Sequence, residues 1–308
     1  MALSKLSSTD AFVITDIDGE PATGVVRRGK KILESSAQDL ARSATYAFAA
    51  FGMQRSGASA GINAEGADQG PATAAFVAEL LPRASAGLHL DPGKGMTKTD
   101  LADLTAAADR HPSAGSRAVT AQGVVAGAKW ACDGELAGRT AAVEGLGLSP
   151  LADLVASALR DAGVTIVTPE GLDKKPWLIW AADVDLLLCG LKPGTLTHQG
   201  AATVKAKAII PWGPLPVTTK AFVMMRREGI TVVPDFVAAA AGLIAEYLPN
   251  SRTMDSAQLS TLASNTVTDV LVACSHHPDG VFIGACERAE SYLTTWTDFR
   301  PFGRPLAA

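Results

Sequence analysis

Apolar positions recur at intervals of three and four over residues 30–53, where Leu33, Ala37, Leu40 and Ala44 build one helix face. A second helix is expected over 70–81. Between them, Ser56 to Gly61 consists of Gly, Ala and Ser and reads as a turn. The stretch Gly87 to Thr97 is punctuated by Asp91-Pro92-Gly93 and Gly95, so it reads as a loop. Thr99-Asp100 offers the start of a helix through about Arg110, stopped by His111-Pro112. After Gly115, residues 118–132 read as helical.

Beyond Gly138 the pattern changes to alternation. A β run at 140–144 is followed by a glycine turn, an apolar helix over 151–161 and a second strand, Val164 to Val167. Short apolar runs follow at Val184 to Leu188, Ala208 to Ile210 and Ile230 to Val233. Short buried strands alternating with helices predict an α/β protein with a parallel, doubly wound sheet. The first part of the chain reads as one domain and residues 119–250 as a Rossmann-like nucleotide fold. Asp279-Gly280 followed by Ile283, Ala285 and Ala289 predicts a last helix with an apolar face.

Composition narrows the field. With 308 residues, 47% hydrophobic and 19% charged, the chain is neither disordered nor collagen-like and has length for two domains. A net charge of −4 and a pI near 5.8 give no electrostatic reason to expect nucleic acid or an anionic membrane as partner. No apolar run reaches the length of about 18 residues that a spanning helix needs, and the N-terminus lacks the order of a signal peptide. The expected compartment is the cytoplasm. Cys132, Cys189, Cys274 and Cys286 lie far apart without zinc-ligand spacing, so small buried side chains are expected. His276-His277 read as solvated loop residues, and no metal is expected.

The chemistry-bearing signal is Gly145-Leu146-Gly147-Leu148-Ser149-Pro150, between a strand and a helix. Such a turn lets backbone N–H groups approach a pyrophosphate, aided by the partial positive charge of the helix N-terminus. Glu170, 23 residues after Gly147, stands where an acidic residue would bind the ribose hydroxyls of NAD. Its charge would repel a 2′-phosphate, which favours NAD over NADP. Pro150 takes the place of the motif's third glycine; it suits a first helical turn but is bulkier.

The surrounding motifs resemble the glutamate/leucine/phenylalanine/valine dehydrogenase family. Residues 20–27 (EPATGVVR) resemble its G-P-x-x-G-G-x-R segment, 44–49 (ATYAFA) its M-T-W-K-x-A helix and 56–62 (SGASAGI) its G-G-A-K-G-G-I turn. Residues 117–123 (RAVTAQG) are similar to R-x-x-A-T-G-x-G. Residues 208–218 (AIIPWGPLPVT) resemble V-x-E-G-A-N-x-P-x-T imperfectly, and 229–241 (GITVVPDFVAAAA) closely resemble G-I-x-x-x-P-D-F-x-x-N-A-G. The resemblance implies a substrate and oligomerisation domain (1–118), a dinucleotide-binding domain (119–250) and C-terminal helices (251–308) returning to the first domain, with the active site in the cleft between the domains. It also implies a homo-oligomer, and cofactor contacts from Gly145, Leu146, Gly147, Leu148, Glu170, Thr120 and Gly190.

Departures from the family pattern concern its catalytic residues. The lysine of M-T-W-K, which binds the substrate α-carboxylate, is Ala47 here, and the lysine of G-G-A-K-G-G, which polarises the reacting carbon, is Ser59. The proton-shuttling aspartate of P-A-x-D-x-x-T matches Lys94, or Asp91 if a gap intervenes, and the family asparagine has become Ala239 or Ala240. An α-carboxylate buried without a cation is costly, and without the second lysine nothing stabilises the developing charge. A rebuilt site would draw on Arg55 for a carboxylate and on Lys94 with Asp91 as electrophile or base. The leading expectation is an NAD(P)-dependent oxidoreductase acting on a carbonyl, imine or amine-type small molecule. The alternatives are a catalytically inactive, dinucleotide-binding or structural subunit and a non-redox enzyme.

Overall fold

The computed structural model describes residues 1–108, 116–298 and 303–307. The chain divides into two compact units, Met1–Pro112 with Ala289–Pro305 and Ser113–Arg288 with Leu306–Ala308.

The first unit contains strands β1 (Ala2–Lys5), β2 (Ala11–Thr15) and β3 (Ala22–Gly29), helix α1 (Glu34–Ala50), strand β4 (Ser56–Asn63), helix α2 (Gln69–Ser85), strand β5 (Leu88–Pro92) and helix α3 (Ala102–Ala107). Its five strands form one sheet in the order β1-β2-β4-β3-β5. β1–β2 and β2–β4 are antiparallel, whereas β3 is parallel to both β4 and β5.

Two expectations fail here. Ser56 to Gly61 is not a turn but most of β4, a central strand buried on both faces. Its small residues reflect close packing. A Cβ at Gly57 would stand 1.8 Å from the Ala41 carbonyl oxygen of α1, so the helix backbone lies directly on the strand. On the opposite face Ala58, Ala60 and Ile62 join Phe76, Leu80, Leu88 and Leu90 in the main core of this unit. Gly87 to Thr97 contains β5, whose pairing along β3 was hidden by the Pro and Gly that end it. The helix expected from Thr99 begins as a 3₁₀ turn, Thr99–Leu101, and continues as α3. The stop expected at Arg110 to Pro112 lies outside the described residues, as does Gly115. β1, β2 and β3 were not anticipated at all.

The second unit contains α4 (Ser116–Ala131), β6 (Thr140–Val143), α5 (Pro150–Asp161), β7 (Thr165–Ile166), β8 (Leu186–Cys189), α6 (His198–Ala201), β9 (Ala208–Pro211), α7 (Thr219–Arg227), β10 (Thr231–Val232), α8 (Asp235–Ala238), α9 (Ala241–Ile244) and α10 (Ser256–Cys274), and α11 (Val281–Leu293) begins in it. All five strands are parallel, in the order β10-β9-β8-β6-β7. Counted from β6 this is the doubly wound order 2-1-3-4-5, as the alternating pattern predicts. The order reverses between β6 and β8, and in open α/β sheets ligands bind outside the carboxyl ends of the strands at that point. α10 opens on a capping box in which Asp255 and Gln258 satisfy each other's backbone N–H groups.

Candidate functional site

At the carboxyl end of β6, Glu144 leads into the Gly145–Ser149 turn, and Pro150 occupies the first position of α5. Gly145 and Gly147 have φ of 79° and 75°, the left-handed backbone that glycine adopts without strain. The turn closes on itself, since Leu148 and Ser149 N–H donate to the Gly145 carbonyl at 2.9 and 3.0 Å. Gly147 N–H, which in a phosphate-binding turn would face the ligand, donates to Asp153 Oδ1 at 2.8 Å. Asp153 lies in the first turn of α5, where a carboxylate is favoured by the helix dipole.

Glu144 is buried, yet its carboxylate is fully engaged. Oε2 accepts from Gly190 N–H at 2.9 Å and Leu191 N–H at 3.1 Å, and Oε1 accepts from the Thr195 hydroxyl. It therefore pins the loop after β8 to the end of β6. Asp235, also buried, accepts from Leu215 N–H at 2.8 Å. Burial, with the charges of Glu144 and Asp235 beside it, holds the Cys189 thiol well above its ordinary pKa, so it stays protonated.

Trp212 follows β9 and continues the sheet pairing, its N–H donating to the Cys189 carbonyl at 2.9 Å. Its indole is only 4% exposed. A Cβ at Gly190 would meet indole Cδ2 at 2.8 Å, and one at Gly145 would meet Cζ2 at 3.2 Å. The ring thus reaches from the end of β9 past β8 to the turn after β6. Leu191 Cδ1 stands at the same 3.2 Å from the Gly145 position.

Of the residues predicted to hold a cofactor, Gly145, Leu146, Gly147, Leu148 and Gly190 therefore meet at the carboxyl edge of the sheet. Leu148 is 77% exposed there. Glu170 is exposed just past β7, beside β6, and Thr120 is half-buried on α4. Glu144, Asp153 and Trp212 were not singled out from the sequence. The readable signals were an acidic residue in the first turn after G-x-G and a tryptophan where V-x-E-G-A-N has glycine or alanine.

In the first unit the predicted residues separate. Arg55 Nη1 donates to Thr23 Oγ1 at 3.1 Å and to the Gly87 carbonyl at 3.3 Å, at the beginning of β3 and β5. Lys94 is exposed beyond the end of β5, its carbonyl accepting from Arg28 N–H at 2.9 Å. Thr23 and Arg28 are roughly 16 Å apart along β3 at about 3.3 Å per residue. Asp91, half-buried on β5 opposite Val25, lies nearer Lys94 than Arg55 does in the register. His277 Nδ1 accepts from Asp279 N–H at 3.1 Å and its Nε2 pairs with Glu287 at 2.9 Å, so both ring nitrogens serve the loop before α11. All four cysteines are buried. Among the described residues no helix is long and apolar enough to cross a membrane, and no group of His, Cys, Asp and Glu is arranged to hold a metal.

No protein-family model matches the chain. Over 88 residues it is 31% identical to the glutamate dehydrogenase of Thermotoga maritima, a stretch covering 29% of this chain and 21% of that protein. The matched sequence thus spans about a fifth of that relative. Among solved structures, the hetero-hexameric glutamate dehydrogenase of Thermus thermophilus in its Leu-bound form superposes with a TM-score of 0.76 at 18% identity, over 94% of this chain and 86% of that one. The L-tryptophan dehydrogenase of Nostoc punctiforme gives 0.68 at 22% identity, over 96% and 94%. The chain has the fold of these amino-acid dehydrogenases and resembles a glutamate dehydrogenase in sequence over part of its length.

Within that family resemblance, the two lysine positions can be located. Ala47 is 2% exposed on α1, and Ser59 is fully buried in β4 with its Oγ lacking a hydrogen-bond partner. On the nucleotide side, the fold implies a nicotinamide dinucleotide across the carboxyl ends of β6, β8 and β9. The residues present do not fit one: the turn amide that would face a phosphate is held by Asp153, the Gly190 and Leu191 amides are held by Glu144, and the Trp212 indole packs against Gly145 and Gly190.

Proposed function

We propose that this chain is a dehydrogenase-fold protein without the amino-acid dehydrogenase reaction, working as a structural or regulatory subunit of an oligomer. The observation that carries this is the state of the two lysine positions, one apolar and one buried in the sheet of the first unit without a partner. A substrate α-carboxylate placed there would lose its hydration with no cation in return, a cost of several kcal/mol. The hetero-hexameric glutamate dehydrogenase among the structural neighbours supports the idea that chains of this fold assemble with unlike partners. Purified protein offered NAD or NADP with a panel of amino acids, and NADH or NADPH with oxo acids and ammonia, is expected to give no turnover above buffer. Steady turnover of any pair sinks this reading.

A second reading is favoured by the retained backbone of the G-x-G turn and by the dehydrogenase names of the relatives. Here the chain is an NAD(P)-dependent oxidoreductase acting on a carbonyl, imine or amine-type small molecule through a rebuilt site. Lys94 with Asp91 supplies the electrophile or base, Arg55 holds a carboxylate elsewhere in the same unit, and Glu170 favours NAD over NADP. Loss of the turnover found in that screen on Lys94→Ala, with the fold intact, distinguishes this reading from the first.

A further inference from the structure

We infer that the second unit is closed to nicotinamide dinucleotides from within, with Trp212 as the residue that closes it. This goes beyond the reading of the substrate side, because it stands on the second unit alone. A dinucleotide at a doubly wound sheet needs three things at the switch point: free amides after the first strand, an uncrowded crevice between the diverging loops and no competing negative charge.

Each is denied by a named residue. Asp153 places a carboxylate oxygen 2.8 Å from Gly147 N, where a phosphate oxygen would sit, so the turn is already satisfied by an anion of the chain. Glu144 holds the amides of Gly190 and Leu191 and brings a buried carboxylate to the strand end that the pyrophosphate would face. Trp212 fills the crevice itself, its indole reaching the Cβ positions of both Gly190 and Gly145.

The three are not equivalent. Asp153 is an exposed side chain and can rotate away at small cost. The Trp212 ring is held between Gly145 and Gly190, and its Nε1 is buried with no hydrogen-bond partner. An unpaired buried donor costs about 1–3 kcal/mol, so the indole is kept there for its bulk and not for a polar contact. Removing Asp153 alone therefore leaves the crevice filled; removing Trp212 opens it.

The test is titration of cofactor-stripped wild type, Asp153→Ala, Trp212→Gly and the double variant with NADH and NADPH, followed by nucleotide fluorescence. Wild type and Asp153→Ala are expected to show no saturation up to millimolar nucleotide. The double variant is expected to saturate, at least tenfold tighter than any wild-type limit. Circular dichroism checks that each variant is folded, and Trp212→Ala replaces Trp212→Gly if the latter is not. Saturable micromolar binding to wild type overturns the inference, as does a folded double variant with no gain. NADH binding without turnover would overturn this inference and spare the non-catalytic reading, whereas turnover without nicotinamide would do the reverse.

Discussion

Gly57 shows how much a single position decides in the first unit. Its missing side chain lets the α1 backbone rest on β4, with the Thr45 hydroxyl accepting from Gly57 N–H at 2.8 Å. Gly57→Ala would force a Cβ against the Ala41 carbonyl at 1.8 Å. The strain of overpacking, roughly 1–3 kcal/mol or more, outweighs the gain of about 0.4–1 kcal/mol from a stiffer unfolded chain. Urea unfolding is expected to show a clear loss of stability. Gly70→Ala, with nothing within 4 Å of its Cβ position, should be neutral or slightly stabilising. An unchanged midpoint for Gly57→Ala would mean that α1 does not lie as close to β4 as described. From the sequence, the same glycine read as part of a turn, because small residues serve both flexibility and close approach.

At the scale of elements, one carboxylate makes most of the hydrogen bonds between the β1–β2 turn and α2, where the Ser8 hydroxyl also lies 3.3 Å from the Ala75 carbonyl. Glu79 of α2 accepts from the Ser7 and Ser8 amides at 3.0 and 2.9 Å and from the Ser8 hydroxyl at 2.6 Å. These bonds, chiefly that from the Ser8 hydroxyl, favour the ionised form and lower its pKa from 4.5 to about 2. A depressed carboxylate pKa contributes stability above the unfolded value, and that contribution is lost as pH falls through the folded one. The tether should therefore be intact above pH 4.5 and loosen between there and about pH 2. An NMR titration should place the Glu79 midpoint near the lower limit, and Glu79→Ala should speed amide exchange of Ser7 and Ser8 at neutral pH. A midpoint near 4.5 would remove the tether from the account. Elements that carry their own signal were legible in the sequence: α1 shows a periodic apolar face, α2, α4 and α5 read as helical segments, and β6, β8 and β9 are short apolar runs. β4 and β5 were not legible, because what makes them strands is pairing with β3 and not their composition.

For the whole molecule, the proposed subunit role requires assembly, and light scattering on the purified chain is expected to give a multiple of 31.7 kDa. A monomer at micromolar concentration would count against the subunit reading and leave the closed crevice untouched. The alternation of strands and helices after Gly138 was enough to predict the parallel doubly wound sheet. The G-x-G turn and the missing lysines could also be read directly, since each is a statement about residues adjacent in the chain. Tertiary structure alone decided that Glu144 reaches the Gly190 amide 46 residues away, that Trp212 covers Gly145 and that a run of Gly, Ala and Ser is a central strand. Periodicity, turn glycines and motif spacing are local and survive in the sequence as patterns. Which carboxylate satisfies which amide, and which side chain fills which space, depends on segments far apart in the chain being brought together, and no local pattern records it.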